Sequence, residues 1–351
     1  MIQRIAVIPG DGIGAEVMAA ALQVLAAVRA KHGIEMLFTE LDWSCSRYAA
    51  TGAMMPDGGI DTLGNHDAVL LGAVGWPGVP DHVSLWGLLI PIRRAFRQYV
   101  NLRPVRTYEG VPSPLAGVGP GDVDLVVVRE NNEGEYSEVG GRMYRGFPQE
   151  MAVQESVFTR AGVARIADYA FDLAASRRRH VTSATKSNGI VHTMPFWDEV
   201  VARRAQGFAT VRWRSEHIDA LAAKVVLDPG SFDVILASNL FGDILSDLTA
   251  AVAGSIGIAA SANLDPSRKY PSMFEPVHGS APDIAGEGKA NPVGMLASVV
   301  LMLRHLGHEA AADDLDAAIV RSLVDERTRT RDIGGSAGTD EVTRFLLGEL
   351  S

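Results

Sequence analysis

The sequence has a single cysteine, Cys45, among its 351 residues. One thiol cannot form a disulfide within the chain, which excludes a disulfide-stabilised scaffold and fits a reducing compartment. Long hydrophobic runs are also missing. The apolar start, residues 1–10, is too short for a signal peptide, and the longest uncharged run, residues 248–264, contains Gly, Ser, Thr and Asn and is shorter than the ~20 residues of a membrane span. We expect a soluble cytoplasmic protein that does not act at a membrane.

Positive charge is scarce. The chain has 32 Lys and Arg against 42 Asp and Glu, a formal net charge of −10. The one basic block that stands out, residues 177–179, fits a helix end better than a nucleic-acid surface, because no basic stripe accompanies it. We expect no nucleic-acid partner. An anionic substrate would have to be held by a local group of arginines, because the overall field does not attract it.

The hydrophobic pattern predicts an α/β protein large enough for two domains, with 47% hydrophobic and 21% charged residues. Runs rich in β-branched residues predict buried strands at 4–9, 68–72, 125–129, 180–184 and 232–237. A period of 3.6 residues predicts helices at 15–31, 163–176, 194–205, 292–306 and 310–326. Gly and Pro cluster at 104–121, where we expect a crossing between domains.

Two aspartates, Asp243 and Asp247, lie four residues apart at the start of an apolar segment. If the segment is helical from about Gly242, both carboxylates lie on one face, one turn apart. They can share a hard cation such as Mg²⁺ or Mn²⁺, which keeps waters and accepts substrate oxygens. The alternative is a solvated acidic helix start, where Asp favours the positive end of the helix dipole.

The first predicted strand is followed by a glycine-rich turn with Gly10, Gly12 and Gly14. This GxGxG spacing is one residue short of the dinucleotide fingerprint GxGxxG, so it does not predict a Rossmann site. The turn could hold an anion on its backbone amides, or it could be a tight turn that needs permissive backbone angles.

Arginines form a second group. Arg93 and Arg103 are ten residues apart, and Arg129 ends a strongly apolar strand. A buried guanidinium cannot lose its charge and must have an anionic partner. That partner is either the adjacent Glu130 or the carboxylate of a ligand, bound in a bidentate manner. Lys186 follows another apolar strand, and a half-buried lysine can serve as a base.

Taken together, these segments resemble the β-decarboxylating dehydrogenases, the isocitrate, isopropylmalate, homoisocitrate and tartrate/D-malate dehydrogenases. The resemblance runs from Gly10 to Thr339. The motifs that carry it are PGDGIG at 9–14, NLRP at 101–104, REN at 129–131 with Tyr136, Lys186 with Asn188, NLFGDILSD at 239–247, EPVHGSAPDI at 275–284 and GGSAGT at 334–339.

The resemblance implies a two-domain α/β fold of the isocitrate/isopropylmalate dehydrogenase type, not a Rossmann domain. Residues 1–100 and 254–351 would form the first, cofactor-binding domain. Residues 101–253 would form the second, which serves dimerisation and binds substrate and metal. The chain would act as a homodimer whose active sites are shared between subunits, on a small dicarboxylate substrate.

The resemblance also implies roles for individual residues. The catalytic residues would be Tyr136, which protonates the product, and Lys186 of the other subunit, which helps remove the hydroxyl proton. The substrate carboxylates would be bound by Arg93, Arg103 and Arg129. The metal, Mn²⁺ or Mg²⁺, would be bound by Asp243, Asp247 and Asp219 of the other subunit. The cofactor would contact Ile13, Asn188, Glu275, His278, Gly279, Ser280, Ala281, Asp283, Asn291 and Asp332.

The expected cofactor is NAD. Asp283 takes the position that faces the adenosine ribose, where a carboxylate accepts hydrogen bonds from the two hydroxyls and repels a 2′-phosphate. The NADP enzymes of the family generally have a lysine and a tyrosine where this chain has Asp283 and Ile284. Without the family, His278 would more often be a loop histidine than a ligand. K⁺ is a candidate additional ion.

The substrate is predicted from the segment before Arg93. Trp86 falls where isopropylmalate enzymes have a glutamate, and a large indole there would shrink the pocket for the C3 substituent. The alternative is a Trp86 that points away into the core. Residues 81–89 and 153–160 resemble the tartrate/D-malate branch, which predicts D-malate as substrate, with tartrate oxidation expected too. The alternatives are a 3-isopropylmalate dehydrogenase and a catalytically silent regulatory subunit. The presence of Tyr136, Lys186 and the three aspartates argues against the silent subunit.

Overall fold

The computed structural model describes residues 2–351, which form two compact units. Unit 1 contains residues 2–98, Arg103–Val123 and Ala250–Ser351; unit 2 contains Tyr99–Leu102 and Asp124–Thr249. The segment Arg103–Val123, which the sequence placed in the second domain, lies in unit 1. Its Ser113 hydroxyl donates to the Val252 carbonyl at 2.7 Å, and the Gly110 Cα is close enough to the Leu323 carbonyl that a Cβ would lie 2.1 Å from the oxygen.

The helices are α1 (Ile13–His32), α2 (Cys45–Thr51), α3 (Gly59–Leu63), α4 (Asp81–Ser84), α5 (Ile90–Ala95), α6 (Arg160–Ala175), α7 (Thr193–Ala205), α8 (Ile218–Leu227), α9 (Asn239–Val252), α10 (Val293–His305), α11 (Glu309–Val324) and α12 (Thr339–Glu349). The strands are β1 (Gln3–Gly10), β2 (Met36–Glu40), β3 (Ala68–Ala73), β4 (Val100–Arg106), β5 (Asp124–Glu130), β6 (Gly140–Met143), β7 (Met151–Gln154), β8 (His180–Thr185), β9 (Arg212–His217), β10 (Val234–Ala237), β11 (Ala260–Leu264) and β12 (Ser272–Pro276).

Unit 1 contains strands in the order β2-β1-β3-β12-β11. The pairs from β2 to β12 are parallel, and β11 runs antiparallel to β12. The inner strands β1 and β3 are buried on both faces, as their uninterrupted apolar sequences predict. Neither the strand order nor the antiparallel pair matches the dinucleotide-binding order 3-2-1-4-5-6, so the prediction that this is not a Rossmann domain is confirmed.

Helix α1 is long and apolar enough to cross a membrane, judged by length and composition alone. Half of its most apolar stretch is buried within the protein. It packs against β3, α10 and α12 of unit 1. Its apolar side chains therefore already contribute to the core of this unit.

The glycine-rich turn between β1 and α1 is a packing junction. The amides of Asp11 and Ile13 donate to the carbonyls of Ala73 (2.7 Å) and Ser280 (2.9 Å), so they are used within the protein. Gly12 has a φ of 58°, and a Cβ there would lie 2.0 Å from the Ser280 carbonyl oxygen. Of the two interpretations of the turn, the tight turn agrees with these contacts, and the anion cradle does not.

Unit 2 contains a parallel group of strands in the order β5-β10-β8-β9. Helices α6 and α7 pack on them, and the buried Trp197 of α7 donates from its indole nitrogen to the Ser183 hydroxyl of β8 at 3.0 Å. Because parallel strands end at the same edge of a sheet, the segments that follow β5, β8 and β10 start from one edge. Arg129, Lys186 and the start of α9 lie at these three strand ends.

The predicted long elements are present, with ends shifted by a few residues. Helix α9 begins at Asn239 rather than near Gly242. Several elements were not predicted, among them the strands β2, β9, β11 and β12 and the helices α8 and α12. The antiparallel pair of β6 and β7, whose residues are exposed, was not predicted either. Nor was the π-helical turn, Leu85–Leu89, between α4 and α5.

The junction at Gly14 leads to a stability prediction. A Cβ at Gly14 would lie 2.5 Å from both the Ala73 nitrogen and the Pro9 carbonyl oxygen, which belong to backbone that cannot move aside easily. We expect Gly14→Ala to destabilise the protein by about 1–3 kcal/mol, measured as a lower midpoint of urea unfolding. The control is Gly348→Ala near the end of α12, where a Cβ meets open space. There we expect stabilisation of about 0.5–1 kcal/mol. A midpoint for Gly14→Ala at or above that of the unmodified protein would contradict the prediction.

Candidate active site

The two aspartates of the NLFGDILSD motif lie on α9, four residues apart, as predicted. The Asp243 side chain is half-buried and Asp247 is exposed. The helix starts directly after β10, so Asp243 lies within about one turn of the strand edge. Both are oxygen donors of the kind that hard divalent cations prefer.

Arg129 at the end of β5 is 2% exposed, and its guanidinium binds two side chains of α9. Its Nε and Nη2 donate to Asn239 Oδ1 at 3.1 Å and 2.6 Å, and Nη1 forms an ion pair with Asp243 Oδ1. The buried charge therefore has its anionic partner on α9. Pairing with Glu130, one of the two alternatives, does not occur: Glu130 accepts the amides of Asn132 (2.8 Å) and Glu133 (3.1 Å).

Gly242 leaves the space for the contact between Arg129 and α9. The sequence alone predicted no role for it. A Cβ at Gly242 would lie 2.6 Å and 2.7 Å from Cβ and Cγ of Arg129. A side chain there would push the arginine off the helix. The only sequence signal was its place between Phe241 and Asp243 in the motif.

Tyr136 completes the group on unit 2. Its hydroxyl donates to Asp243 Oδ2 at 2.9 Å, and the Arg129 guanidinium lies over its ring, 5.6 Å from the centroid. Burial and the neighbouring Asp243 carboxylate raise the pKa of Tyr136 to about 12. The phenol therefore holds its proton at neutral pH and can supply it to a stronger base.

Lys186 and Asp219 form a separate pair on unit 2. The Lys186 ammonium donates to Asp219 Oδ1 at 2.6 Å, and this hydrogen bond lowers the pKa of the Asp219 carboxyl. Asp219 lies in the first turn of α8 and is exposed. Asn188 is also exposed, two residues after the lysine.

The three aspartates predicted to bind a metal do not come together among the described residues. Across residues 2–351, no three His, Cys, Asp or Glu side chains converge in a metal-binding arrangement. Asp243 and Asp247 are together, and Asp219 pairs with Lys186 instead.

Glu130 is a buried carboxyl without an assigned role. Burial raises its pKa to about 7, although the nearby Arg165 of α6 acts in the opposite direction. Its Oε2 has no hydrogen-bond partner. Its Oε1 binds amides of its own loop and the Arg165 guanidinium, at 3.4 Å. The contacts of this carboxyl thus organise the loop that follows β5.

The remaining predicted arginines, Arg93 and Arg103, belong to unit 1 and are both buried. Arg93 Nη2 donates to Glu275 Oε1 at 2.8 Å, and the same oxygen accepts the Asn263 amide at 2.6 Å. A predicted substrate residue, Arg93, and a predicted cofactor residue, Glu275, are thus joined by a buried ion pair. Part of the guanidinium is already committed to this partner.

The other predicted cofactor residues also lie in unit 1. The Ser280 carbonyl accepts the Ile13 amide, and Asn291 donates to Asp332 at 3.0 Å. Burial lowers the pKa of His278, whose Nε2 is buried without a hydrogen-bond partner. Gly279 and Asp283 are exposed, and Ala281 has a φ of 38°, which marks a sharp turn in the loop.

Trp86 lies in the π-helical turn and is half-buried. The wider turn brings Trp86 and Arg94 onto one side of the helix, so that the Arg94 guanidinium lies over the indole, 5.1 Å from the ring centroid. Gly87 packs against Met54, where a Cβ would lie 2.9 Å from the methionine Cγ. The indole is therefore partly exposed rather than fully buried in the core.

The chain matches the family described as isocitrate/isopropylmalate dehydrogenase over residues 4–346. It is 56% identical over 350 residues to a probable tartrate dehydrogenase/decarboxylase of Bacillus subtilis, covering 99% of this chain and 98% of that protein. It is 53% identical over 347 residues to the D-malate dehydrogenase (decarboxylating) of Escherichia coli, covering 97% and 96%. A solved isocitrate dehydrogenase from Methylococcus capsulatus matches with a TM-score of 0.90 at 31% identity over 99% of both chains.

These matches confirm the resemblance inferred from the motifs. The chain belongs to the isocitrate/isopropylmalate dehydrogenase family and is a decarboxylating dehydrogenase that acts on a CH–OH group.

Proposed function

We propose that this protein oxidises D-malate with NAD and decarboxylates it to pyruvate and CO₂, and that it also oxidises tartrate. The observation that carries the proposal is the contact of Arg129 and Tyr136 with one carboxylate, Asp243. These contacts bring a guanidinium, a phenol and a carboxylate together, which supports the roles in anion binding, proton donation and metal binding that we propose for them. The names of the similar tartrate and D-malate dehydrogenases support the choice of substrate.

The proposed reaction has two stages, an oxidation and a decarboxylation. D-malate loses a hydride from C2 to NAD⁺ and a proton from the C2 hydroxyl, which leaves the keto acid oxaloacetate and NADH. The bond between C3 and the neighbouring carboxylate then breaks, CO₂ leaves, and the electron pair forms an enolate. One proton added at C3 gives pyruvate, so the proton released from the hydroxyl equals the proton taken up.

The proposed roles follow from the contacts of each side chain. Arg129 would bind a substrate carboxylate through its guanidinium. Tyr136, with its raised pKa, would hold the proton that C3 receives. Lys186 would assist the departure of the hydroxyl proton, in the active site of the partner subunit.

A divalent cation, Mn²⁺ or Mg²⁺, would stabilise the negative charge that develops on the substrate oxygens. The donor chemistry fits, since Asp243 and Asp247 offer hard carboxylate oxygens one turn apart on α9. Two ligands from one chain leave room for a third, which we assign to Asp219 of a second copy. K⁺ stays a candidate additional ion.

NAD fits the loop after β12. The buried Nε2 of His278 has no partner in the protein, which suits a nitrogen that receives a ligand hydrogen bond. Gly279 borders open space, and the exposed Asp283 carboxylate is available to accept hydrogen bonds from ribose hydroxyls. We propose NAD rather than NADP, because a carboxylate at Asp283 would repel a 2′-phosphate.

We propose a cytoplasmic homodimer whose active sites contain groups from both subunits. The separation of Asp219 from Asp243 and Asp247 within one chain supports this arrangement. Exposed apolar side chains around β6 and β7 in unit 2 offer a surface that a second copy could cover. They are Val139, Met143, Tyr144, Phe147, Met151 and Val153.

The substitution Asp243→Asn tests the metal site. The amide keeps an oxygen for Arg129 but loses the negative charge, so we expect turnover of D-malate to fall by at least about 100-fold. The thermal unfolding midpoint should fall as well, because the buried Arg129 guanidinium loses its anionic partner. Mn²⁺ binding, measured by calorimetry, should weaken in parallel. The control is Asp340→Asn at the exposed start of α12, which should bind Mn²⁺ like the unmodified enzyme. Unchanged Mn²⁺ affinity in Asp243→Asn would reject the assignment.

Mixed dimers test the shared site. Subunits carrying Lys186→Ala, combined with subunits carrying Tyr136→Phe, should regain part of the activity that each variant lacks by itself. Each mixed dimer would contain one site with both residues intact. Activity is measured with D-malate and NAD after subunit exchange has been verified by mass spectrometry. If exchange occurs and activity does not return, both residues act in one subunit's own site.

Steady-state assays with D-malate, the tartrates, isocitrate and 3-isopropylmalate, each with NAD and NADP, test the proposal as a whole. We expect a higher kcat/KM for D-malate than for 3-isopropylmalate, by a ratio equivalent to roughly 2 kcal/mol or more in activation free energy. Burial of each additional carbon normally stabilises a complex by about 0.8 kcal/mol. A pocket closed by Trp86 excludes the isopropyl carbons and loses this stabilisation. Trp86→Ala should narrow this gap, whereas Trp213→Ala, a half-buried indole on β9, should not. Equal use of both substrates by the unmodified enzyme would favour the 3-isopropylmalate alternative.

A further inference from the structure

Three glutamates at the end of β5 and in the loop after it, Glu130, Glu133 and Glu135, bind different parts of unit 2. Glu130 binds amides of the loop itself. Glu133 binds the amide and hydroxyl of Thr159, both at 2.8 Å, at the start of α6. Glu135 binds the start of α9. Of these three parts, α9 is the one that carries two predicted metal ligands, Asp243 and Asp247, so the contact of Glu135 differs from the other two in what it binds.

Both carboxylate oxygens of Glu135 accept hydrogen bonds at the start of α9. Oε1 accepts the Ser238 hydroxyl at 2.7 Å, and Oε2 accepts the Leu240 amide at 3.0 Å. The first amides of a helix have no partner within it, and a negative charge is favoured at this end of the helix dipole. The carboxylate therefore fastens the loop to the first turn of α9 in a defined position.

The residue next to this anchor is Tyr136, which contacts the same helix one turn further along. Its hydroxyl donates to Asp243 Oδ2 at 2.9 Å. Glu135 binds Leu240, and its neighbour Tyr136 binds Asp243. The two contacts on α9 are therefore about one helical turn apart. The separation between the phenol and α9 thus depends on where the Glu135 carboxylate is bound.

The other side of the loop is held through its backbone. Gln154 at the end of β7 donates to the carbonyls of Ser137 (2.7 Å) and Glu135 (3.3 Å). Gly134 and Val157 exchange two backbone hydrogen bonds, at 2.8 Å and 3.0 Å. These contacts set the path of the chain but do not reach α9. The side-chain amide of Asn239 on α9 donates to the Glu133 carbonyl of the loop at 3.3 Å. The Glu135 side chain is the link to α9 that lies next to Tyr136 in the chain.

We propose that Glu135 is a positioning residue that keeps the Tyr136 hydroxyl in register with Asp243 on α9. The inference rests on the proposed function, because it concerns the proton that Tyr136 supplies to C3 of the substrate. It adds a residue that touches neither substrate nor metal. Its loss should slow the protonation step more than hydride transfer, which depends on Lys186.

The first test is a crystal structure of the homodimer carrying Glu135→Ala. We expect the separation of Tyr136 Oη and Asp243 Oδ2 to increase beyond hydrogen-bond distance, while α9 keeps its fold. The matched control is Glu133→Ala, which removes a carboxylate of the same loop from the start of a different helix, α6. It should leave the Tyr136 contact intact. An unchanged contact in Glu135→Ala would overturn the proposal, whatever substrate the enzyme uses.

The second test is kinetic, with the full-length enzyme, D-malate, NAD and Mn²⁺. We expect Glu135→Ala to lower kcat by about 10- to 100-fold, the scale of a misplacement near 1 Å, with a smaller change in KM. The solvent isotope effect on kcat should rise, and the effect of deuterium at C2 of D-malate should fall, because protonation becomes more rate-limiting. Glu135→Gln, which keeps one acceptor oxygen, should recover part of kcat.

The outcomes separate the two proposals. If the unmodified enzyme fails to oxidise D-malate, the proposed function is wrong, and the crystal structure still tests the positioning role. If the unmodified enzyme is active and Glu135→Ala has the same kcat and isotope effects, the positioning role is wrong. Equal changes in Glu133→Ala would also overturn it, because they would reflect general loosening of the loop.

Discussion

A permanent positive charge, the Arg129 guanidinium, is buried at the end of β5, and the surrounding structure is arranged to accommodate it. An arginine cannot lose its proton, so its burial is tolerable only with an anionic partner and satisfied N–H groups. Asn239 in the first turn of α9 and Asp243 one turn later provide both. Gly242 provides the space, since any side chain would collide with the arginine. The position of α9 against β5, and with it the position of the aspartates, depends on this contact.

The same helix start gathers further side chains. Tyr136 reaches Asp243 from the loop after β5, and Glu135 binds the free amide at the helix start. A single carboxylate, Asp243, therefore meets a cation on one oxygen and a phenol on the other. Its negative charge supports the proton on Tyr136, whose pKa is raised to about 12. A divalent cation bound to Asp243 would reduce that negative charge, which would make the phenol a better acid when a metal and substrate are present.

The sequence predicted the long elements well, because buried parallel strands read as continuous apolar runs and core helices show a 3.6-residue period. The motif residues Tyr136, Arg129 and Asp243 could be named in advance, and they do lie in contact. The partner of Arg129 could not be decided, because Glu130 is adjacent in sequence while Asp243 is 114 residues away. The π-helical turn at Leu85–Leu89 could not be predicted from the sequence either. Its single wider turn leaves no periodic signal, yet it decides that Trp86 shares a side with Arg94.

By itself, the sequence determined the fold class, the family and the types of chemical group available, since these depend on local patterns and on the order of motifs. Only the tertiary structure decided which groups meet. It paired Arg129 with α9 rather than Glu130, used the amides of the glycine-rich turn for packing, and joined Arg93 to Glu275. The physical reason is that buried charges and amides must be satisfied by whatever the fold brings within about 3 Å. Those neighbours come from distant parts of the chain, so local sequence cannot reveal them.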